Sequence, residues 1–263
     1  KVALVQFKEA GKKYYFSFGD LTIELKDKVV VETTRGIEIG TVYLFKDIEE
    51  SDLISELKPI IRTATSGDIK EDEYNQTLEY GVVEKSKVLA VQNDLEIKVL
   101  GAEYTLDRKR LLIYFESDTR VDFRNLVRDL SEIYHTRIEL RQIGPRDAAK
   151  MIGGIGPCGL ILCCTTFIGE FDAVSIKMAK NQNIALNPQK ISGVCGKLLC
   201  CIKYEDAVYT ELKALLPDIN EKVETEKGIG NVIDLNIIGK KVRVKYPDGG
   251  GYVWHELSEI KRT

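Results

Sequence analysis

The spacing of apolar positions changes character several times along this chain. Near the start it comes in short extended runs. Val29, Val30 and Val31 lead into Thr33, Thr34, Arg35 and Gly36, and Ile37, Ile39 and Val42 come next. That order reads as strand, tight turn, strand. Gly11 with Lys12 and Lys13 marks an earlier hairpin. From about Asp68 to Asp94 the period lengthens, with Tyr74, Leu78 and Val82 recurring every four residues. Asp68 is the expected helix cap, and Glu71, Asp72 and Glu73 place negative charge in the first turn, where it suits the helix dipole.

The clearest pattern lies in the middle of the chain. Ile97–Thr105 and Arg110–Phe115 read as strands joined by a turn at Asp107–Lys109. Asp122 then caps a helix whose apolar face is Phe123, Leu126, Val127, Leu130, Ile133 and Tyr134. Ile138 and Leu140 alternate with Glu139 and Arg141, as in a strand. Strand, strand, helix, strand implies a crossover onto a mixed sheet. Pro145 suits the first turn of a short helix through Met151. A helix around Glu205–Leu216 stops at Pro217. From Glu221 to Ile260 the pattern is again extended, with turns at Gly228–Gly230 and Asp248–Gly251.

These elements predict an α+β protein. The expected segments are a β-rich N-terminal stretch (1–60), a central α/β unit with a mixed sheet (61–147), a cysteine-rich segment and helix (148–218) and a small SH3-like β tail (219–263). Val31-Glu32-Thr33-Thr34-Arg35-Gly36-Ile37 echoes Val223-Glu224-Thr225-Glu226-Lys227-Gly228-Ile229. Two readings stand: unrelated hairpins with similar turn chemistry, or two small barrel modules.

The cysteines add chemistry to this picture. All six lie between positions 158 and 201. Cys158-Gly159-Leu160-Ile161-Leu162-Cys163-Cys164 is matched by Cys195-Gly196-Lys197-Leu198-Leu199-Cys200-Cys201, so C-G-x-(I/L)-L-C-C occurs twice, 37 positions apart. Four readings compete: buried packing, disulfides, an all-cysteine zinc site and a thiolate-held iron–sulfur cluster. Adjacent cysteines differ by about 100° on a helix, so both members of a pair are not expected on one metal atom. Cys158 with one of Cys163 and Cys164, and Cys195 with one of Cys200 and Cys201, form the natural set of four.

Charge sharpens this. The whole chain has a formal net charge of −3, which argues against a coat for nucleic acid. Between Ala148 and Tyr204, six lysines (Lys150, Lys177, Lys180, Lys190, Lys197 and Lys203) face only Glu170 and Asp172. Positive surroundings favour thiolates and an anionic cluster. The same lysines are candidates for nucleic-acid contact, together with the terminal β segments. The longest apolar runs are too short to span a bilayer, and the expected location is the cytoplasm.

Other motifs mislead. Gly154-Ile155-Gly156-Pro157-Cys158-Gly159 matches G-x-G-x-x-G, but it comes after an expected helix instead of a strand and lacks an acidic ribose partner. His135 and His255 read as structural. No catalytic motif is present, and the protein is expected not to be an enzyme.

The stretch Arg120-Val121-Asp122-Phe123-Arg124 through Arg137-Ile138-Glu139-Leu140-Arg141-Gln142-Ile143-Gly144 resembles the polymerase-suppressor C-terminal-domain family. Gly153–Gly159, Cys163-Cys164, Ser175–Lys180, Asn187-Pro188, Lys190–Gly193 and Cys195-Gly196 resemble its bacterial RicT (YaaT) type. The resemblance implies a subunit that works with two small helical proteins, RicA-like and RicF-like. It implies a complex that holds 4Fe–4S clusters and supports RNase Y in mRNA maturation, with effects on sporulation, competence and biofilm formation. All six family cysteine positions are present. The resemblance favours iron–sulfur over zinc, and it leaves open which thiols ligate and whether partners donate ligands.

Overall fold

The computed structural model describes residues 1–8, 10–48, 57–119, 121–247 and 251–262. Arg120, in the family-like stretch, and residues 248–250, in the expected last turn, lie outside these. The chain divides into two compact units, Lys1–Phe171 with Val194–Lys197, and Asp172–Gly193 with Leu198–Thr263. Both helices and sheets are present, and the chain is α+β.

The first unit opens with strands β1 (Val2–Gln6), β2 (Lys13–Phe16), β3 (Lys28–Glu32), β4 (Ile37–Lys46) and β5 (Ile60–Thr63). They form one antiparallel sheet in the order β2-β1-β4-β3-β5. Its core is Ala3, Val5, Phe16, Val29, Val31, Val42 and Ile60. The β-branched run in β3 is buried on both faces, so it reads as continuous valine with no alternation.

Helix α1 (Ser66–Gln92) comes next. Its cap is Thr65, not Asp68. The Thr65 hydroxyl accepts the Asp68 N–H, and the Asp68 carboxylate accepts the Thr65 N–H at 2.7 Å. This reciprocal pair is a capping box, and a hydroxyl three positions earlier takes the role because its backbone is extended there. The buried stripe is also displaced from the expected one. Asn75, Val82, Ser86, Leu89 and Ala90 are buried, whereas Tyr74 is half exposed. Asn75 can be buried because it is satisfied: its Oδ1 accepts from Arg108 Nε at 2.6 Å.

The central sheet has β6 (Lys98–Tyr104), β7 (Arg110–Glu116) and β8 (Arg137–Gln142) in sequential order, β6 antiparallel and β8 parallel to β7. Helix α2 (Arg124–Tyr134) makes the β7-to-β8 connection. The mixed sheet is as expected. Leu126 and Leu130 of α2 are fully buried against Leu111, Ile113 and Ile138, and truncating either to alanine would cost about 2–5 kcal/mol. Phe123 occupies the cap position of α2, and Asp122 instead accepts from the Arg124 N–H. Ile133, assigned to the apolar face, is 43% exposed, so the face is narrower than its periodicity suggests. Helix α3 (Pro145–Ile152) has its proline at the first position. Helix α4 (Cys163–Thr166) is a single turn.

The second unit contains α5 (Ile176–Asn181), α6 (Pro188–Ile191) and α7 (Cys200–Leu215), which share a small core of Ala179, Ile191 and Ile202. Its sheet is built from β9 (Lys222–Thr225), β10 (Gly228–Asn236), β11 (Lys241–Lys245), β12 (Tyr252–Glu256) and β13 (Lys261–Arg262). The order is β12-β11-β10-β9-β13, again antiparallel throughout.

The two terminal sheets therefore share one plan. In each, a first hairpin (β3–β4 or β9–β10) is flanked by a second hairpin (β1–β2 or β11–β12) and by one short strand (β5 or β13). The chain visits the two hairpins in opposite order. The echo between the two ends of the sequence is the turn of the equivalent hairpin. Thr33 Oγ1 accepts the Arg35 N–H at 3.0 Å, and Thr225 Oγ1 accepts the Lys227 N–H at 3.2 Å. Gly36 and Gly228 then take φ of 137° and 107°, where side chains are strained. Similar turn chemistry thus sits in sheets of similar pairing order.

Candidate metal centre

The repeated heptapeptide folds twice into the same loop. In the first copy, Ile155 and Ile161 form an antiparallel bridge around the first cysteine. Gly156 N–H donates to the Leu160 carbonyl at 2.8 Å, and Leu162 N–H donates to Gly154 at 3.1 Å. In the second copy the bridge joins Ser192 and Leu198, and Leu199 N–H donates to Ile191 at 2.9 Å. Gly159 and Gly196 both have positive φ. Leu162 (φ −54°, ψ 127°) and Leu199 (φ −56°, ψ 124°) then lead into helices that begin on the paired cysteines. The structural repeat is longer than the sequence heptapeptide. It starts three residues earlier, at Ile155 and Ser192, and includes a second matched glycine, Gly156 and Gly193. That glycine pair is visible in the sequence but is masked by the match to G-x-G-x-x-G. The stretch comes after helix α3, as expected, which removes the dinucleotide reading.

Each copy places its cysteines alike. Cys158 and Cys195 lie in the turn; Cys163 and Cys200 open a helix, with Cys164 and Cys201 next. A Cβ on Gly156 would stand 3.4 Å from the Cys158 sulfur, so that thiol folds back over its own loop. Cys158 is exposed, Cys163 half-buried and Cys164 buried. This adjacent pair is thus split between environments, which the helical offset of about 100° permits. Cys195, Cys200 and Cys201 are all half-buried.

The copies differ beyond their paired cysteines. After Cys164, the Thr165 and Thr166 hydroxyls both donate back to the Leu162 carbonyl, at 2.7 and 3.2 Å, and α4 ends after one turn. After Cys201, Ile202-Lys203-Tyr204-Glu205-Asp206-Ala207 continues α7, which therefore starts five residues before the expected Glu205. The helix dipole sets partial positive charge at the start of α7, beside Cys200 and Cys201.

The donor set is all sulfur, which suits a soft metal centre. Among the described residues, however, no three His, Cys, Asp or Glu side chains gather closely enough to hold a metal ion. The lysines divide. Lys150 is tied down, its Nζ donating to the Ala10 carbonyl at 2.6 Å and lying 5.7 Å from the Phe171 ring centre. Lys203 lies 3.9 Å from Asp172. Lys177, Lys180, Lys190 and Lys197 are exposed. His135 ends α2 in a left-handed conformation, and His255 is buried, with its Nε2 2.8 Å from the Tyr246 hydroxyl. Both are placed structurally.

No helix among the described residues is long and apolar enough to cross a membrane. Two family models match the chain: the PSP1 C-terminal conserved region over residues 58–143, and the third domain of PSP1-like proteins over residues 173–216. The chain is 46% identical over 259 residues to the stage 0 sporulation protein YaaT of Bacillus subtilis, covering 97% of this chain and 94% of that protein. It is 30% identical over 167 residues to an uncharacterized protein of Schizosaccharomyces pombe, spanning 51% of this chain and 22% of that protein. The protein PSP1 of Saccharomyces cerevisiae is 28% identical over 124 residues, 37% of this chain and 15% of that protein. No solved structure matches.

Proposed function

Because this chain belongs to the PSP1 C-terminal family, in the group of the Bacillus sporulation protein, we propose that it is a non-catalytic, cytoplasmic subunit of a regulatory complex that holds a 4Fe–4S cluster. The observation that supports this reading is the twofold recurrence of one loop conformation around matched thiols. A packing role for cysteine requires no such repetition. The turn cysteine and the helix-opening pair present sulfur donors from a backbone held by its own hydrogen bonds, which is how a protein orients thiolate ligands.

The reading includes ligands from other chains. RicA-like and RicF-like proteins are the proposed donors, and RNase Y-dependent mRNA maturation is the proposed task, with sporulation, competence and biofilm formation downstream. When bound, the cluster would supply redox or sensing chemistry; this chain's part is to position sulfur.

The test is anaerobic co-purification of the chain with its two partners. Iron and sulfide analysis and visible absorption are then read for the six single Cys→Ser variants. Loss of iron in a subset drawn from both copies is the expected result. Colourless complex with stoichiometric zinc, or iron content indifferent to all six changes, would overturn it.

A further inference from the structure

The outward face of β11 and β12 has a composition that the cysteine chemistry does not use. Strand β11 reads Lys241-Val242-Arg243-Val244-Lys245, with both valines fully buried and the three cations turned out. Across the ladder, Lys245 pairs with Tyr252, Arg243 with Trp254 and Lys241 with Glu256. Tyr252 is 57% and Trp254 44% exposed. Two aromatic rings therefore stand in the open, one strand over from a row of cations.

Arg243 ties the two rows together. Its guanidinium carbon lies 5.2 Å from the Tyr252 ring centre and 5.9 Å from that of Trp254. Its Nε is buried and has no hydrogen-bond partner among the described residues. Asp234 lies opposite on β10, and its Oδ1 accepts the Leu235 N–H at 2.9 Å. Lys241 is occupied by Glu256 at 2.8 Å, at one end of the row. Among the described residues, no carboxylate pairs with Arg243 or Lys245 beside the rings. Residues two apart on a strand are about 6.6 Å apart, so Tyr252 and Trp254 offer two platforms on one edge of the sheet. Aromatic platforms alongside a line of cations suit the π-faces and backbone of an unpaired polynucleotide.

We propose that this face binds single-stranded RNA, with bases stacked on Tyr252 and Trp254 and phosphates against Arg243 and Lys245. The inference adds a direct RNA contact to the proposed role in mRNA maturation but does not depend on the metal. The two can fail separately: the face contains no cysteine, and iron content is read without RNA.

Trp254 is the only tryptophan in the chain, so its fluorescence reports on this face alone. Titration of the full-length chain with a short oligouridylate should quench it, and a duplex of equal length should do so much less. Two phosphate contacts predict a roughly sevenfold loss of affinity between 50 and 200 mM salt. With an end-labelled oligonucleotide read by anisotropy, Tyr252→Ala and Trp254→Ala should each weaken binding at least about fivefold. Arg243→Gln should weaken it and flatten the salt dependence. Circular dichroism confirms that each variant is folded, and Trp254→Phe, which keeps a ring, should retain most of the affinity. Unchanged affinity in the folded Tyr252→Ala and Trp254→Ala variants would overturn the proposal. So would no binding at 50 mM salt, or quenching by an acidic or proline-rich peptide but not by RNA.

Discussion

Gly159 and Gly196 hold the same left-handed backbone, φ 82° and 73°, one residue after the first cysteine of each loop. Nothing lies within 4 Å of where a Cβ would stand on either. Alanine at each position would therefore meet no clash, and its cost is conformational, about 1–2 kcal/mol. Gly159→Ala and Gly196→Ala should lower the thermal midpoint and the iron content of the complex. Gly→Asn should recover part of both, because asparagine tolerates this conformation.

The start of α1 should be sensitive to acid. Hydrogen bonds from Arg62, and then from Thr65, hold the Asp68 carboxyl well below the usual range. A group whose folded pKa is depressed contributes stability above its unfolded value, near pH 4, and loses it as pH falls through the folded value. The stability difference between wild type and Asp68→Asn should be constant near neutrality and should close below about pH 4. Thr65→Ala should cost about 1 kcal/mol in urea unfolding at neutral pH.

A polar knot joins the N-terminal sheet to the central one. Arg35 Nη1 donates to Glu103 at 3.0 Å and to the Tyr114 hydroxyl at 3.1 Å, and Tyr114 donates to Glu103 at 2.8 Å. Arg35 also pairs with Glu38 at 2.8 Å, and these charged side chains are about four-fifths buried. Glu103→Ala should cost about 2–3 kcal/mol, somewhat less than a fully buried pair. A double-mutant cycle with Arg35→Ala should show a coupling above about 1 kcal/mol. A coupling near zero would mean that solvent replaces the bond without loss.

In the second sheet, the Tyr246 hydroxyl sits 2.5 Å from Thr225 Oγ1 and 2.8 Å from His255 Nε2, all three residues buried. Tyr246→Phe keeps the ring and leaves two buried polar groups without this partner. The expected loss is about 1–2 kcal/mol, measured by denaturant unfolding with Trp254 emission as the probe.

The β7–α2–β8 unit is legible in the sequence because its periods are long and its turns are marked. The cysteine duplication is legible from identity alone. The cap of α1 is not. Asp68, with three acids behind it, outweighs Thr65 as a cap signal, and only the reciprocal hydrogen bonds reveal the order of roles. The buried stripe of α1 is hidden because it includes Asn75 and Ser86, polar residues satisfied by Arg108 and by the Val82 carbonyl. The start of α7 at Cys200 is hidden because paired cysteines in a ligand motif suggest a loop. The pairing of β1 with β4 is a long-range choice that no local window contains.

That pairing has a consequence for synthesis. β1 is an interior strand, with β2 on one side and β4 on the other. Its hairpin partner ends at Phe16, but β4 begins only at Ile37. On the ribosome the early hairpin must wait with its inner edge open while those residues emerge. An open edge backed by Ala3 and Val5 is a template for mispairing. The C-terminal sheet, which makes its equivalent interior strand β11 directly after β10, avoids this interval at that strand. In the C-terminal sheet the waiting edge is instead that of β9, which stays open until β13 is made at Lys261.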